Sequence, residues 1–225
     1  MVYHAYQAHA DWMNQLRILA EATKGVIALP WLRDFPGTRK LAAAIDVLSS
    51  ARLTHSRPDF GISEVTVGEG TTARRVRVSE EAVMVEPFCT LLRFRREDVG
   101  EQPRVLIVAP MSGHFATLLR ETVRTMLADH DVYITDWHNA RDVPLSAGRF
   151  GLDEYTEYLM RFLERMGSGS HLLAICQPCV AALAATALMA EDHHPATPAS
   201  LTLMAGPIDC RINPTRVNEL ATSTP

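Results

Sequence analysis

His171-Leu-Leu-Ala-Ile-Cys-Gln-Pro-Cys-Val-Ala-Ala182 is the stretch of this 225-residue chain that decides its fold. A short apolar segment leads into Cys176, and small or turn-forming residues, Ala174 and Pro178, stand two positions to either side. An alanine-rich segment follows at once. This is the layout of a nucleophile elbow, in which a strand turns sharply into a helix and lifts the residue at the turn above the sheet. The positive end of the helix dipole favours a thiolate there, so the pattern predicts that Cys176 is a nucleophile.

Apolar strands alternate with helices on either side of this stretch, which predicts a mostly parallel sheet covered on both faces. A period of two at Glu64–Val67 and Arg75–Val78, with glycines between, predicts an antiparallel hairpin in front of the sheet. The other predicted strands are Phe88–Phe94, Arg104–Ala109, Val132–Trp137, His171–Ile175 and Leu201–Met204. The predicted helices are His114–Ala128, Leu152–Met166 and Cys179–Ala190. This order fits the α/β-hydrolase plan.

The N-terminal quarter differs in character from the rest. Apolar residues recur at helical spacing from residue 3 to about residue 50, with breaks at Pro30 and Pro36 and a second helix over Thr38–Ser50. Ala51–Gly61 is polar and indicates a linker. We therefore expect an N-terminal helical segment and linker over residues 1–60 and an α/β-hydrolase core over residues 61–225. Only a polar tail follows Leu201–Met204, so the C-terminal strands of that core are expected to be missing.

Composition excludes some partners. The net charge is −4 and the isoelectric point about 6.1, which gives no electrostatic reason to expect nucleic acid or an anionic membrane. The longest apolar run, Cys179–Ala190, is too short to span a bilayer, so no transmembrane segment is predicted. No basic segment followed by an apolar run opens the chain, and a cytoplasmic location is expected. The sequence predicts no particular oligomeric state.

The four cysteines, Cys89, Cys176, Cys179 and Cys210, do not form a disulfide framework for a chain of this length. Cys176 and Cys179 do form a C-x-x-C pair, which leaves a redox alternative open. The elements around it do not follow a thioredoxin-like order. A second ligand pair with suitable spacing is absent from the sequence, so no metal site is predicted.

The loop Val108–Phe115 follows the first predicted parallel strand. In this fold that loop donates one backbone N–H to the oxyanion hole, and the residue after the nucleophile, Gln177, donates the other. We expect Met111 or Ser112 to supply the N–H from the loop. The alternative is an ordinary strand–helix turn in which Ser112 caps the helix.

Two further residues are candidates for a pocket. His114 lies before the nucleophile at a predicted helix start, which favours a loop-shaping or substrate-lining role over that of a base. Asp136 ends the predicted strand Val132–Trp137, at the edge where ligands approach open α/β sheets. We expect Asp136 to hydrogen-bond its own loop, with the pocket role as the alternative. Asp209 is the in-chain candidate for a triad acid, and no histidine follows it.

These segments together resemble the intracellular polyhydroxyalkanoate depolymerases, particularly those that act on poly(3-hydroxybutyrate). The resemblance covers nearly the whole chain and is carried by Tyr3–Ala22, Pro110–Arg120, Val132–Trp137, Ala174–Cys179 and Met204–Asp209. It implies an α/β-hydrolase with a cysteine–aspartate–histidine triad in which Cys176 is the nucleophile. The implied substrate is the amorphous polyester of intracellular storage granules, and the implied location is cytoplasmic and granule-associated. No metal or organic cofactor is implied.

The family's acid and histidine lie in a C-terminal portion that follows the part matched here, so we expect this chain to be an N-terminal fragment. A polyhydroxyalkanoate synthase-like acyltransferase is an alternative, but its elbow resembles Gly-x-Cys-x-Gly-Gly, and Ala174 and Pro178 replace those glycines. The other alternative is a truncated, non-catalytic chain that binds granules without turnover.

Overall fold

The computed structural model describes residues 2–27, 37–50, 57–68, 70–112 and 114–223. The chain divides into two compact units, residues 1–56 and residues 57–225. The first unit contains α1 (Val2–Ile27) and α2 (Thr38–Ser50), the latter with the predicted bounds. Lys24 and Asp46 form an ion pair of 3.0 Å between them. The predicted break at Pro30 and Pro36 lies outside the described residues.

The described part of the second unit contains one seven-stranded sheet in the order β1-β2-β3-β5-β4-β6-β7. Its strands are β1 (Glu64–Val67), β2 (Arg74–Val85), β3 (Cys89–Arg96), β4 (Arg104–Val108), β5 (Asp131–Trp137), β6 (His171–Ile175) and β7 (Ser200–Met204). The neighbours β4/β5, β4/β6 and β6/β7 pair in parallel. The pairs β1/β2, β2/β3 and β3/β5 are antiparallel. Strands β2, β4, β5, β6 and β7 therefore run in one direction.

Strands β1 and β3 run in the other direction, and β3 lies between β2 and the parallel strands, as one antiparallel strand does in the α/β-hydrolase fold. The predicted fold class is confirmed. The central strands are buried on both faces, with Leu106, Ile107 and Ile134 fully inaccessible, as expected where helices cover both sides of a parallel sheet. Among the described residues, no helix is both long and apolar enough to cross a membrane.

The helices of the second unit are α3 (Arg120–Met126), α4 (Leu152–Met166), α5 (Cys179–Glu191) and α6 (Arg216–Ser223). Short 3₁₀ turns occupy Gly70–Thr72, Ala116–Leu119 and Leu145–Ala147. The helix predicted over His114–Ala128 is present, but its predicted start is wrong, because Phe115 has an extended backbone and a 3₁₀ turn precedes α3. The polar tail holds a helix that the sequence analysis missed. There Thr215 and Asn218 exchange backbone-to-side-chain hydrogen bonds of 2.9 and 3.3 Å, a capping arrangement.

Residues 57–62 belong to the second unit, so the division of the chain lies four residues before the predicted boundary at residue 60. Phe60 is fully buried and packs edge-to-face on Phe94 of β3, with ring centroids 4.9 Å apart. The Arg57 guanidinium lies over the Phe60 ring, 5.2 Å from its centroid. The sequence analysis assigned Phe60 to a linker because most residues around it are polar.

Phe60→Ala is expected to lower the free energy of unfolding of the second unit by about 3–5 kcal/mol, because it leaves a cavity against Phe94. Urea denaturation followed by circular dichroism measures the change. Asp59→Ala is the matched control, since the Asp59 side chain is exposed and its backbone carbonyl, which binds Arg120 at 2.6 Å, is kept. Equal stability of Phe60→Ala and the control would contradict the assignment of this segment to the core.

Candidate active site

Cys176 lies at a sharp turn between β6 and α5. Its φ of 68° is in the left-handed region, which non-glycine residues adopt rarely. The strand ends at Ile175 and the helix begins at Cys179, so the turn occupies three residues. Cys176 is exposed, whereas the two small flanking residues, Ala174 and Pro178, are buried. This is the backbone geometry of a strand–nucleophile–helix elbow.

Two backbone hydrogen bonds hold the turn. The Cys176 N–H donates to the carbonyl of Met204 at the end of β7, over 2.7 Å. The Cys176 carbonyl accepts from the N–H of Cys179 over 3.1 Å. Because the first bond links the turn to the neighbouring parallel strand, it holds the backbone of Cys176 in place relative to the sheet.

Cys179 supports the elbow from beneath. It is fully buried, and its Sγ lies 3.3 Å from the carbonyl oxygen of Ala174 and 3.6 Å from that of Met204. Burial raises the pKa of the Cys179 thiol. The two members of the C-x-x-C pair therefore differ in kind, since Cys176 is open to solvent and Cys179 is a packed side chain. This arrangement favours the elbow over the redox alternative.

Gly206 makes that packing possible. A methyl group added at Gly206 would lie 2.5 Å from Cys179 Sγ, closer still to its Cβ, and 3.1 Å from the Cys176 carbonyl oxygen. Carbon atoms do not tolerate such approaches, so the backbone after β7 touches the elbow only because residue 206 lacks a side chain.

The loop after β4 lies beside the elbow. Val108 pairs in parallel register with Ala174, so the residues that follow these two strands emerge next to each other at the carboxyl edge of the sheet. Met111, Ser112 and Gln177 are exposed there. Their backbone N–H groups make no hydrogen bond to another described residue. The residues predicted to form an oxyanion hole thus follow neighbouring strands at the same edge of the sheet, and their role stays a prediction.

Two residues of β5 that sequence reasoning missed hold the start of this loop. The Ala109 N–H donates to Thr135 Oγ1 over 2.9 Å, and the Ala109 carbonyl accepts from Trp137 Nε1 over 2.8 Å. Trp137 in turn packs edge-to-face on Tyr155, with centroids 4.6 Å apart. The available signal was a threonine within a strand expected to be buried, because a buried hydroxyl needs a partner.

The alternative role of Ser112 as a helix cap is wrong. The 3₁₀ turn begins at Ala116, its N-cap is Phe115, and no side chain caps it. His114 is exposed in the loop ahead of this turn and is not at a helix start. A substrate-lining role for His114 stays a prediction.

Asp136 lies at the carboxyl end of β5 and is 6% exposed. Its Oδ2 accepts from Arg57 Nε over 2.5 Å, and Arg57 also reaches Glu80 at 3.1 Å. Burial raises the pKa of the Asp136 carboxyl, although the positive charge of Arg57 acts in the opposite direction. The interpretation that Asp136 binds its own loop is wrong, because its partner lies 79 residues away in sequence. A pocket role for Asp136 stays a prediction.

No histidine or carboxylate among the described residues is hydrogen-bonded to the Cys176 thiol. Asp209, the candidate acid, forms a bidentate pair with Arg211, with both bonds at 2.8 Å, and this pair lowers the pKa of the Asp209 carboxyl. His193 and His194 precede β7 and so lie toward its amino end. In the part of the chain that the structure describes, no group of three or more histidine, cysteine or acidic side chains is placed to hold a metal ion.

The sequence matches no family model and no curated protein. Two solved structures are similar to this chain in shape. One is a candidate esterase from Staphylococcus aureus, 6% identical with a TM-score of 0.42, and the match covers 87% of this chain and 60% of that one. The other is the Francisella virulence factor BioJ, 10% identical with a TM-score of 0.40, matched over 82% of this chain and 57% of its own. The chain thus spans about three fifths of the length of these proteins.

Gly206→Ala is expected to destabilise the protein by about 1–3 kcal/mol, since the added methyl group overpacks the contact with Cys179. It should also slow alkylation of Cys176, because the turn must shift. Denaturation and iodoacetamide labelling followed by mass spectrometry measure the two effects. Gly100→Ala is the control, because a Cβ there meets no atom within 4 Å. A Gly206→Ala protein as stable and as reactive as this control would contradict the packing described.

The raised pKa of Asp136 predicts a particular pH dependence of stability. In the native state this carboxyl binds a proton more readily than in the unfolded chain, so the free energy of unfolding should fall as pH rises from about 4 through the raised native value. Asp136→Asn should lack that decline, and Arg57→Gln should enlarge it by removing the counter-charge. Urea titrations of the three proteins between pH 4 and 8 measure it. Parallel curves for the parent and Asp136→Asn would contradict the prediction.

Proposed function

We propose that this protein acts on esters through the Cys176 thiol, as part of an intracellular polyhydroxyalkanoate depolymerase. The observation that supports this most is the left-handed backbone of Cys176 (φ 68°) at an exposed strand–helix turn. A strained backbone at a solvent-accessible thiol has no use in packing, and such strain persists where it positions a reacting group. The family resemblance in the sequence then supplies the reaction class.

The proposed chemistry takes two stages. The histidine that the resemblance implies removes the proton from the Cys176 thiol, the thiolate attacks the ester carbonyl, the leaving alkoxide takes that proton from the histidine, and the acyl group stays on sulfur as a thioester. Water then cleaves that thioester, releasing the carboxylate and restoring the thiol. The backbone N–H groups of Gln177 and of Met111 or Ser112 stabilise the negative oxygen in both stages. The start of α5 adds the positive end of a helix dipole beside the thiolate.

Exposed apolar side chains at the carboxyl edge fit a polyester substrate. Met111 follows β4, Val180 lies in the first turn of α5, and Met204 and Ile208 lie at and after the end of β7; these four side chains are 37%, 37%, 48% and 49% exposed. A rim of this kind suits contact with an apolar, poorly hydrated surface better than with a charged small molecule. The proposed partner is therefore the granule polymer or its oligomers, in the cytoplasm, with no cofactor.

The parent chain is expected to hydrolyse amorphous poly(3-hydroxybutyrate) granules and p-nitrophenyl butyrate several powers of ten more slowly than an enzyme with a complete triad, because no described histidine is hydrogen-bonded to Cys176, and Cys176→Ala is expected to lower that rate to background. Cys210→Ser is the matched control, because Cys210 is also exposed and no step of the proposed reaction uses it. Intact-mass analysis after quenching should show one butyryl group on the parent protein, labile to hydroxylamine, and none on Cys176→Ala.

The same assay separates the alternatives. If the protein consumes 3-hydroxybutyryl-coenzyme A and polymer grows, the synthase-like acyltransferase would be the correct assignment and the depolymerase would be wrong. If the protein binds granules but cleaves no ester and forms no acyl adduct, the assignment as a non-catalytic granule-binding chain would be correct. Equal activity of Cys176→Ala and Cys210→Ser would exclude Cys176 as the nucleophile.

A further inference from the structure

The first unit of the chain has almost no core of its own. Its described residues form α1 and α2, helices of 26 and 13 residues. Among these residues, Ala20 and Ser49 are the ones that are buried. A unit of two helices this small rarely buries enough apolar surface to hold itself together, and oligomerisation is one of the usual remedies. The apolar side chains that it leaves exposed are therefore candidates for a protein interface.

Such side chains form a line along α1, here called the α1 seam. Its members are Ala8, Trp12, Gln15, Leu19 and Ala22, which follow one another at alternating steps of four and three residues. This spacing keeps side chains on one face of a helix and is typical of the contact between two packed helices. All five residues are exposed, and the two large apolar members, Trp12 and Leu19, are 60% and 63% exposed.

The α1 seam is distinct from the face of α1 that packs on α2. Ala20 is buried on that face, and Lys24, one turn later, forms the 3.0 Å ion pair with Asp46. Successive residues of an α-helix are rotated by about 100°, so Leu19 lies about 100° around the helix from Ala20. The packing of α2 on α1 therefore leaves the seam open.

The charges of α1 favour a protein partner over a charged surface. The helix carries two acidic residues, Asp11 and Glu21, and two basic residues, Arg17 and Lys24. Helices that lie on anionic surfaces are rich in lysine and arginine. The balanced charge of α1 gives no such attraction, and it lets two copies of the helix approach each other without net repulsion.

Two copies of the seam complement each other when the helices run antiparallel. If Trp12 lies opposite Ala22 of a second copy, the opposite directions of the two helices bring Gln15 opposite Leu19 of that copy. The large indole ring then meets a small side chain, as in well-packed interfaces. A two-fold axis relates the contacts, so the same seam serves both partners. A parallel pair would instead place the two Trp12 rings at the same level.

We propose that α1 binds α1 of a second copy of this chain in antiparallel orientation, through the α1 seam. At 1.5 Å per residue α1 is about 39 Å long, and a helix is about 10 Å wide. This contact is small for a protein–protein interface, so the dimer is expected to be reversible. The association uses neither Cys176 nor the loop after β4.

Sedimentation equilibrium of the full chain, from micromolar to submillimolar concentration, should show a monomer–dimer equilibrium. Leu19→Glu is expected to weaken dimerisation by about tenfold or more, because it places two uncompensated carboxylates in the contact. Asn14→Glu is the matched control. It adds the same charge at an exposed position about 140° around the helix from Leu19, and it should leave the dissociation constant unchanged.

A double variant tests the antiparallel register. Gln15→Lys combined with Leu19→Glu should recover most of the lost dimerisation, because each new ammonium group then lies opposite a new carboxylate of the other copy. In a parallel pair, like charges would lie opposite each other. If Leu19→Glu loses helix content by circular dichroism, Trp12→Ala decides, and it should also weaken dimerisation by about tenfold.

A chain that stays monomeric throughout, or that dimerises equally well with Leu19→Glu and with Asn14→Glu, overturns the proposal. So does failure of the double variant to recover, because the proposed contact is antiparallel. A monomer that binds poly(3-hydroxybutyrate) granules, and loses that binding on Leu19→Glu, assigns the seam to the polymer surface and also overturns the proposal. These results leave the proposed role of Cys176 untouched, since its alkylation and acylation are measured separately.

Discussion

The left-handed backbone of Cys176 is the constraint on which the rest of this edge of the sheet depends. Holding a non-glycine residue in such a conformation costs on the order of 1–3 kcal/mol, so surrounding contacts must over-determine it. Here the hydrogen bond from the Cys176 N–H to Met204 and the burial of Cys179 beneath the turn provide those contacts. Both require β7 and the residues after it to approach closely, which is why the position of Gly206 admits no side chain.

Residues of β5 also hold this edge of the sheet in place. Side chains alternate along a strand, so Thr135 and Trp137 face one side and Asp136 faces the other. The first two fix both backbone groups of Ala109, at the start of the loop proposed to bind the oxyanion. A preorganised site needs its donors on a scaffold that does not relax when charge develops. The end of β5 thus holds the start of this loop in place, and the proposed reaction gives it no contact with substrate.

Local sequence was sufficient where the determining contacts are local. Continuous apolar runs placed β4 to β7, a period of 3.6 placed α4, and the small residues around Cys176 indicated the elbow. Prediction failed where the determining contact is distant or weakly patterned. Phe60 is buried by Phe94 of β3, Asp136 is paired with Arg57 79 residues away, and α6 is marked by a cap and not by an apolar stripe. The left-handed turn itself has no sequence signature beyond its small neighbours, because Cys176 is not a glycine.

The pair of Arg57 and Asp136 is one of these distant contacts. It joins the segment that begins the second unit to the carboxyl end of β5, on the face opposite the residues that hold Ala109. A buried carboxylate beside one arginine is a poor source of net stability, because desolvation offsets most of the attraction. Its raised pKa agrees with that, since burial outweighs the arginine. The pair helps to hold residues 57–60 against the sheet, because Arg57 bonds both Asp136 and Glu80 while Phe60, three residues on, packs beside Phe94.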